Sequence, residues 1–411
     1  MNPSDPLPYE EALSRILSAI SPRAVCQVPC GDAAGRVAAE DVPALLDLPP
    51  FANSSMDGYA CIAADTAAAT PNHPVCLRIV GESAAGHAQS AVVASGQAMA
   101  ISTGAAMPPG ADAVVMVEET RPCADPAFVE ILSPITPGQY VRSAGEDVQK
   151  GAIVIDAGTL LRPGAIALIA ASGHARVRVH GTPRVALIAT GSELAMPGEK
   201  LATAQIYDSN SLMLASLVRE AGAVCGPQIR STDDIQSLRS VIEGTTLQKA
   251  DMIVTTGGVS VGQHDYVKQL VSETGEIDFW RVAIRPGKPF AFGRIAGRPI
   301  FGLPGNPASA FVTFELFVRP ALRRMAGHAD CVRPTIGATL TETVEHEPGR
   351  KSYVRAHSEW VDGRLHTRSA GLQASHRFRS LAAANSLLII PEDRSRIVSG
   401  ETVSVLLLGP E

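Results

Sequence analysis

From residue 184 onward, short apolar runs alternate with helix-period segments, and this alternation restricts the chain more than any other feature. Residues 185–189, 224–229 and 252–256 read as strands, while 212–221, closed by Gly222, and most of 234–250 read as helices. Residues 300–303 add a strand and 307–319 a helix, with Asn306 at its N-cap and Pro307 in its first turn. Strands separated by helices pair in parallel through right-handed crossovers. Such a sheet needs helices on both faces. The expected fold is multi-domain α/β, with a parallel-sheet domain over residues 181–328.

A chain of 411 residues exceeds what one core serves, so further domains are expected on either side. Tyr9, Leu13, Ile16, Leu17 and Ile20 share one helical face. Between residues 49 and 138 the helical pattern disappears, and short β-like runs at 75–80 and 113–117 alternate with Gly, Pro and Ser. "TLLRPGAIALIAASG" (159–173) then restores a helix between Pro163 and Gly173. The reading is a helical N-terminal domain, residues 1–48 with 142–180, interrupted by a β-rich module at 49–141. Residues 329–411 read as short strands and form a small, barrel-like β domain.

The charge balance, 35 basic against 41 acidic residues, gives no general pull towards nucleic acid or an anionic membrane. The longest apolar run, near 165–171, is too short to span a bilayer, and the N-terminus carries acids where a signal peptide carries bases. A cytoplasmic protein is expected. Seven cysteines include no C-x-x-C pair, so neither a disulfide framework nor a zinc site is expected. The ten histidines show no metal-ligand spacing.

In an open α/β sheet, ligands bind where strands end and helices begin. The residues at those positions are polar. Thr190, Gly191, Ser192 and Glu193 follow the first strand; Asp233 and Asp234 follow the second; Gly257, Gly258, Ser260 and Asp265 follow the third. "WRVAIRPGKP" supplies Arg281, Arg285 and Lys288, and "GLPGNP" supplies Pro304, Gly305, Asn306 and Pro307. Glycine turns with nearby arginines make an oxyanion cradle, because glycine admits close backbone approach and arginine binds oxyanions bidentately. Glu193, Asp233 and Asp265 beside it suggest Mg²⁺, which takes one or two carboxylates, phosphate oxygens and water. Each residue also has a plainer use. "GGVSVG" matches neither dinucleotide-binding nor P-loop spacing, Asp233 and Asp234 suit a helix cap, and Asp57 in "MDGYA" suits a turn.

The motifs "PPFANSSMDGYA", "ISTGAAMPPGADAVVMVEET", "GEDVQKG", "IATGSEL", "IYDSNS", "TTGGVSVGQHDY", "RPGKPFAFG" and "FGLPGNPASA", in this order over nearly the full length, resemble the bacterial molybdopterin molybdenumtransferase family, related to the E domain of gephyrin. The resemblance implies insertion of molybdate into adenylylated molybdopterin with release of AMP, dependent on a divalent metal. It also implies a homodimer with sites shared between subunits, and the molybdopterin adenylyltransferase as a candidate partner. Matched by motif, Asp57, Thr103, Asp147, Glu193, Asp233, Asp265, Arg281, Arg285, Pro304 and Pro307 occupy the family's functional positions, with Glu193 and Asp265 as the metal pair. Thr190, Gly191, Ser192, Gly257, Gly258, Ser260, Lys288, Gly305 and Asn306 would bind substrate. Two departures stand out: Arg281 and Arg285 replace the usual lysines, and Ser192 stands where Asp or Asn is frequent. A non-catalytic scaffold of the same fold and another nucleotide-dependent phosphotransferase are the alternatives.

Overall fold

The computed structural model describes residues 6–87, 91–232, 234–244, 249–258 and 266–409. The central sheet uses β1 (Arg184–Thr190), β2 (Val224–Ser231), β3 (Met252–Thr256), β4 (Gly275–Arg281), β5 (Pro289–Ile295) and β6 (Arg298–Leu303) in the order β2-β1-β3-β6-β5-β4. The first four pair in parallel; β5 runs antiparallel to both β6 and β4. The sheet is therefore mixed, not all parallel. The segment "WRVAIRPGKP", expected from sequence to supply rim cations, begins with the last two residues of β4 and ends with the first of β5.

Alternation along β1 explains the layers. Val185 and Leu187 enter one core with Leu214, Val218 and Phe317, while Ala186 and Ile188 enter another with Leu238, Ile242 and Leu270. Each fully buried aliphatic side chain of this kind contributes about 1.5–3 kcal/mol. Helix α3 (Ser209–Glu220) packs in the first core, and α4 (Ile235–Glu243) and α5 (Tyr266–Thr274) pack in the second. Asp208 caps α3 by accepting from the Ser211 amide at 3.0 Å, and Asp234 caps α4 by accepting from the Ser237 amide at 2.7 Å. The helix from Pro307 runs past its expected end at 319, through a π-helical turn at Phe314–Val318, to Met325.

The N-terminal helix α1 (Tyr9–Ala19) belongs to this unit. Ala12 and Ile16 lie in the core of the central domain, and the Tyr9 ring lies 5.6 Å from Phe317 and 5.8 Å from Tyr353. Its apolar stripe fits the sheet's helix layer, not the segment next to it in sequence. That segment also differs from the helical domain expected there. Its α-helix, Pro163–Ala171, sits with strand pairs Val25–Pro29/Arg176–His180 and Val42–Pro43/Ile153–Ile155. The reason is visible in "RVRVH", which alternates with period two and buries Val177 and Val179.

The β-rich module contains a six-stranded sheet with neighbours Ala113–Met116, Gly58–Cys61, Gln97–Ile101, Val75–Ser83, Phe128–Ile131 and Thr120–Pro122. In the C-terminal domain, β7 (Thr335–Leu340), β8 (Lys351–Val361), β9 (Arg364–Ser369), β10 (Ser386–Ile390) and β11 (Thr402–Leu407) pair in the cycle β8-β9-β7-β11-β10-β8, closing a small barrel. Arg333 fastens it to the central domain. Its buried guanidinium meets Glu315 at 2.9 Å, Glu220 at 3.0 Å and the Gly409 carbonyl at 2.6 Å. Burial pushes the Glu315 carboxyl above its ordinary pKa, against the pull of Arg333. Among the described residues, no helix is long and apolar enough to cross a membrane.

Candidate functional site

The carboxyl ends of β1, β3 and β6 border a cleft of about 480 Å³. Thr190, Glu193, Thr256, Gly257, Gly305, Asn306 and Pro307 line it together with Asp208 and Asn210 from the start of α3. The backbone of the third turn approaches the first strand closely. A Cβ at Gly257, whose φ is +86°, would lie 2.4 Å from the Thr190 carbonyl oxygen, and one at Gly258, φ +64°, would lie 2.9 Å from Thr190 Oγ1. Only glycine allows that contact in a left-handed conformation.

Asn210 joins the three loops. Its Nδ2 donates to Thr256 Oγ1 at 2.9 Å and to the Gly305 carbonyl at 2.8 Å. The carbonyl fixes the amide orientation, because only the nitrogen can donate to it. Oδ1 is buried without a hydrogen-bond partner among the described residues. Asp208, although it lines the cleft, is engaged as the cap of α3 and accepts from Ser211 Oγ at 2.6 Å. The cleft is thus lined mostly by uncharged hydrogen-bonding groups, with the Asp208 carboxylate engaged at the start of α3 and exposed Glu193 at the mouth.

The barrel domain completes one wall. His376 and Phe378 line the cleft, carried on the segment between β9 and β10. Fully buried Arg355 on β8 holds that segment, donating from Nε to Ser380 Oγ at 3.1 Å and from Nη2 to the Leu372 and Ala374 carbonyls at 3.2 Å each. The Ala308 amide at the start of the Pro307 helix donates to the Ser375 carbonyl at 3.1 Å. The sequence reading named none of Tyr207, Asp208, Asn210, His376 or Phe378. "IYDSNS" carried the first three; for the last two, 70 residues beyond Asn306, no sequence signal stood out.

The structure brings the expected glycine turn, Thr190, Glu193, Gly305, Asn306 and Pro307 together, with Gly191, Ser192 and Pro304 adjoining in the same loops. Asn306 occupies the N-cap position but makes no side-chain capping bond, so Pro307 alone shapes that helix start. The expected cations lie elsewhere. Arg281 ends β4, two strands beyond β6 or roughly 10 Å at normal strand spacing, and Lys288 precedes β5, the strand next to β6, on the same sheet edge. Arg285 leaves the sheet altogether, since residues 284–285 pair with the start of β8 and its guanidinium bonds Glu347. That bond holds the Glu347 carboxyl below its ordinary pKa.

Asp57 and Thr103 meet one another. The Thr103 amide donates to Asp57 Oδ1 at 2.6 Å, on the β-rich module. Asp147 is exposed, on a loop whose amide donates to the Leu48 carbonyl at 3.0 Å. None of these three lines the cleft. Asp233, Ser260 and Asp265 lie outside the described residues. Asp234, taken as a cap candidate, is a cap.

A cleft at the carboxyl edge of parallel strands, with glycine turns and a helix N-terminus facing it, defines an α/β small-molecule-binding protein of several domains. Comparison with known proteins narrows this. Residues 7–173 match the MoeA N-terminal region (domain I and II), 186–324 a probable molybdopterin binding domain, and 337–408 the MoeA C-terminal region (domain IV). The chain is 42% identical to molybdopterin molybdenumtransferase 2 of Mycobacterium tuberculosis over 92% of this chain and 94% of that one. It is 33% identical to the Haemophilus influenzae molybdopterin molybdenumtransferase over 91% of each. The crystal structure of a molybdopterin biosynthesis moeA protein from Pyrococcus horikosii superposes with a TM-score of 0.84 at 33% identity, covering 99% of this chain and 100% of the other. The chain belongs to the MoeA family of molybdopterin molybdenumtransferases.

Proposed function

We propose that the chain is a molybdopterin molybdenumtransferase, taking adenylylated molybdopterin and molybdate and releasing AMP with the metal-loaded cofactor. The observation that carries this beyond family membership is the division of the sheet edge. A cleft lined mostly by uncharged hydrogen-bonding groups lies over β1, β3 and β6, and Lys288 and Arg281 stand one and two strands beyond it on the same edge. An elongated ligand with a planar heterocycle at one end and anionic groups at the other suits that layout. The unused Asn210 Oδ1 would accept from a ring N–H or amino group, and the Gly257–Gly258 turn lets the ligand approach the backbone.

Glu193 is an exposed carboxylate at the cleft mouth and has the hard oxygen donors that Mg²⁺ takes. Glu193 and Asp265 would hold the ion, which when bound neutralises phosphate charge. Arg281, Arg285 and Lys288 would bind oxyanions, with arginine adding bidentate geometry where the family uses lysine. Before Arg285 can do so it must leave Glu347.

Asp57 and Thr103 form one hydrogen-bonded unit on a module that contributes nothing to the cleft among the described residues. We infer that they complete the site of a second subunit in a two-fold homodimer. Mixing Asp57→Ala with Arg285→Ala after subunit exchange would restore about a quarter of normal activity, since a random mixture yields half heterodimers, each with one intact site. No recovery after verified exchange would place Asp57 outside the partner's site.

The function is tested by incubating the purified chain with adenylylated molybdopterin, Mg²⁺ and molybdate and assaying AMP and metal-loaded cofactor. AMP appearing only with both substrates supports the proposal. No AMP would favour a scaffold of the same fold, and AMP without molybdate another phosphoryl-transfer activity.

A further inference from the structure

The β-rich module carries a side-chain cluster that the proposed reaction does not use. Cys76 pairs across the sheet with Glu130, and Glu130 pairs with Arg121 on the edge strand. Cys123 follows that edge strand, and its sulfur lies 3.7 Å from that of Cys76. One ligand atom from each of Cys76, Cys123 and Glu130 lies within 4.8 Å of the other two. The opposite face of these strands is core, with Leu77, Val129 and Ile131 buried, so the cluster sits on the solvent face of a well-supported sheet.

The distances match a metal better than a disulfide. Sulfurs bound at about 2.3 Å to a tetrahedral zinc-like ion stand about 3.8 Å apart, whereas a disulfide needs about 2.05 Å. Arg121 Nε and Nη2 both bond Glu130 Oε2, at 2.7 and 2.6 Å, and fix the carboxylate beside the thiols. A ligating carboxylate is usually held in this manner by an outer hydrogen-bonding partner, here Arg121. The spacing of the cysteines, 47 residues apart, hides the site from any motif reading.

We propose that Cys76, Cys123 and Glu130 form a binding site for one thiophilic divalent cation of the zinc type, with a fourth position open to solvent. Two thiolates and one carboxylate make an anionic donor set whose soft sulfurs favour such an ion over Mg²⁺. Binding releases the thiol protons to solvent, with no redox change.

The test is cobalt titration of the full chain, freed of metal by a chelator and kept reduced with a phosphine, followed by zinc displacement. One Co²⁺ per chain should bind with a near-ultraviolet thiolate charge-transfer band and the visible absorption of a four-coordinate ion, and zinc should abolish both. Cys76→Ser and Cys123→Ser should each remove the thiolate band while leaving the thermal unfolding profile of the metal-free protein unchanged. Arg121→Gln should weaken binding by about tenfold or more. Cys225→Ser should leave it intact. Bands that survive Cys76→Ser, or no cobalt uptake by a chain whose thiols all titrate as reduced, would overturn the proposal.

Discussion

Gly257→Ala should be the most damaging single-methyl change at the cleft, and Gly305→Ala the contrasting control. At 257 the added Cβ would sit 2.4 Å from the Thr190 carbonyl oxygen and 2.8 Å from its Oγ1. The first contact is backbone, so relief to a normal separation of about 3.4 Å requires one of two adjacent strand ends to move by about 1 Å. The residue must also keep a φ of +86°, which costs alanine about 1–2 kcal/mol relative to glycine. Overpacking of a tight contact adds about 1–3 kcal/mol. The sum, about 2–5 kcal/mol, corresponds to a fall on the order of 5–20 °C in the unfolding of the central domain. At 305 the nearest atom to an added Cβ is Gly257 Cα at 3.6 Å, an ordinary contact, so stability should change by less than about 0.5 kcal/mol. Its methyl would narrow the cleft, so ligand affinity should fall while the fold holds. Scanning calorimetry of both variants, with ligand titration of each, checks the pair. Equal unfolding profiles would refute the close-approach account of the glycine turn.

Glu193→Gln keeps the loop's shape and removes the charge at the cleft mouth, so turnover should drop at least a hundredfold with an unchanged unfolding profile. An unaltered Mg²⁺ dependence and rate would remove Glu193 from the metal site. Arg355→Met leaves the Leu372 and Ala374 carbonyls and the Ser380 hydroxyl without their donor, at about 2–4 kcal/mol in total. Faster amide exchange over residues 371–382, with little change in the central sheet, is the expected signature. The Thr232 hydroxyl and then the Ser237 amide hold the Asp234 carboxyl below its ordinary pKa. Its stabilising effect is therefore present above the unfolded value, about 3.9, and is lost as pH falls through the lower folded value. Wild type should lose its melting-temperature advantage over Asp234→Ala progressively as the pH falls below about 4; an advantage independent of pH would mean the carboxylate's charge plays no part in the cap.

The parts of the fold legible in sequence are those set by local pattern. The four parallel strands and their helices follow from apolar runs punctuated by Gly222, Asp234 and Pro307. The antiparallel pair β4 and β5 was missed because its connection, with an arginine, a proline, a glycine and a lysine, carries more turn signal than its strands carry strand signal. The placement of α1 was missed for a different reason. An apolar stripe states that a helix is buried, but not against what, and Ile16 finds its partners in residues some 170 to 300 positions away.

The site shows the same division. Residues in the turns that directly follow strands could be named from the chain because a parallel sheet brings those turns together by construction. Asn210 has no such warrant. Its role depends on reaching Thr256 and Gly305 from the first turn of α3, a relation fixed only when β1, β3 and β6 lie side by side. The cations show the opposite error. Position in sequence put Arg281, Arg285 and Lys288 beside the glycine turn, yet β5 separates Arg281 from β6 and Arg285 pairs with the barrel domain. The resulting offset is informative in itself. A ligand that touches both the Asn210 cleft and Arg281 must extend across three strands, so its length, more than its charge, decides whether it can use the whole edge.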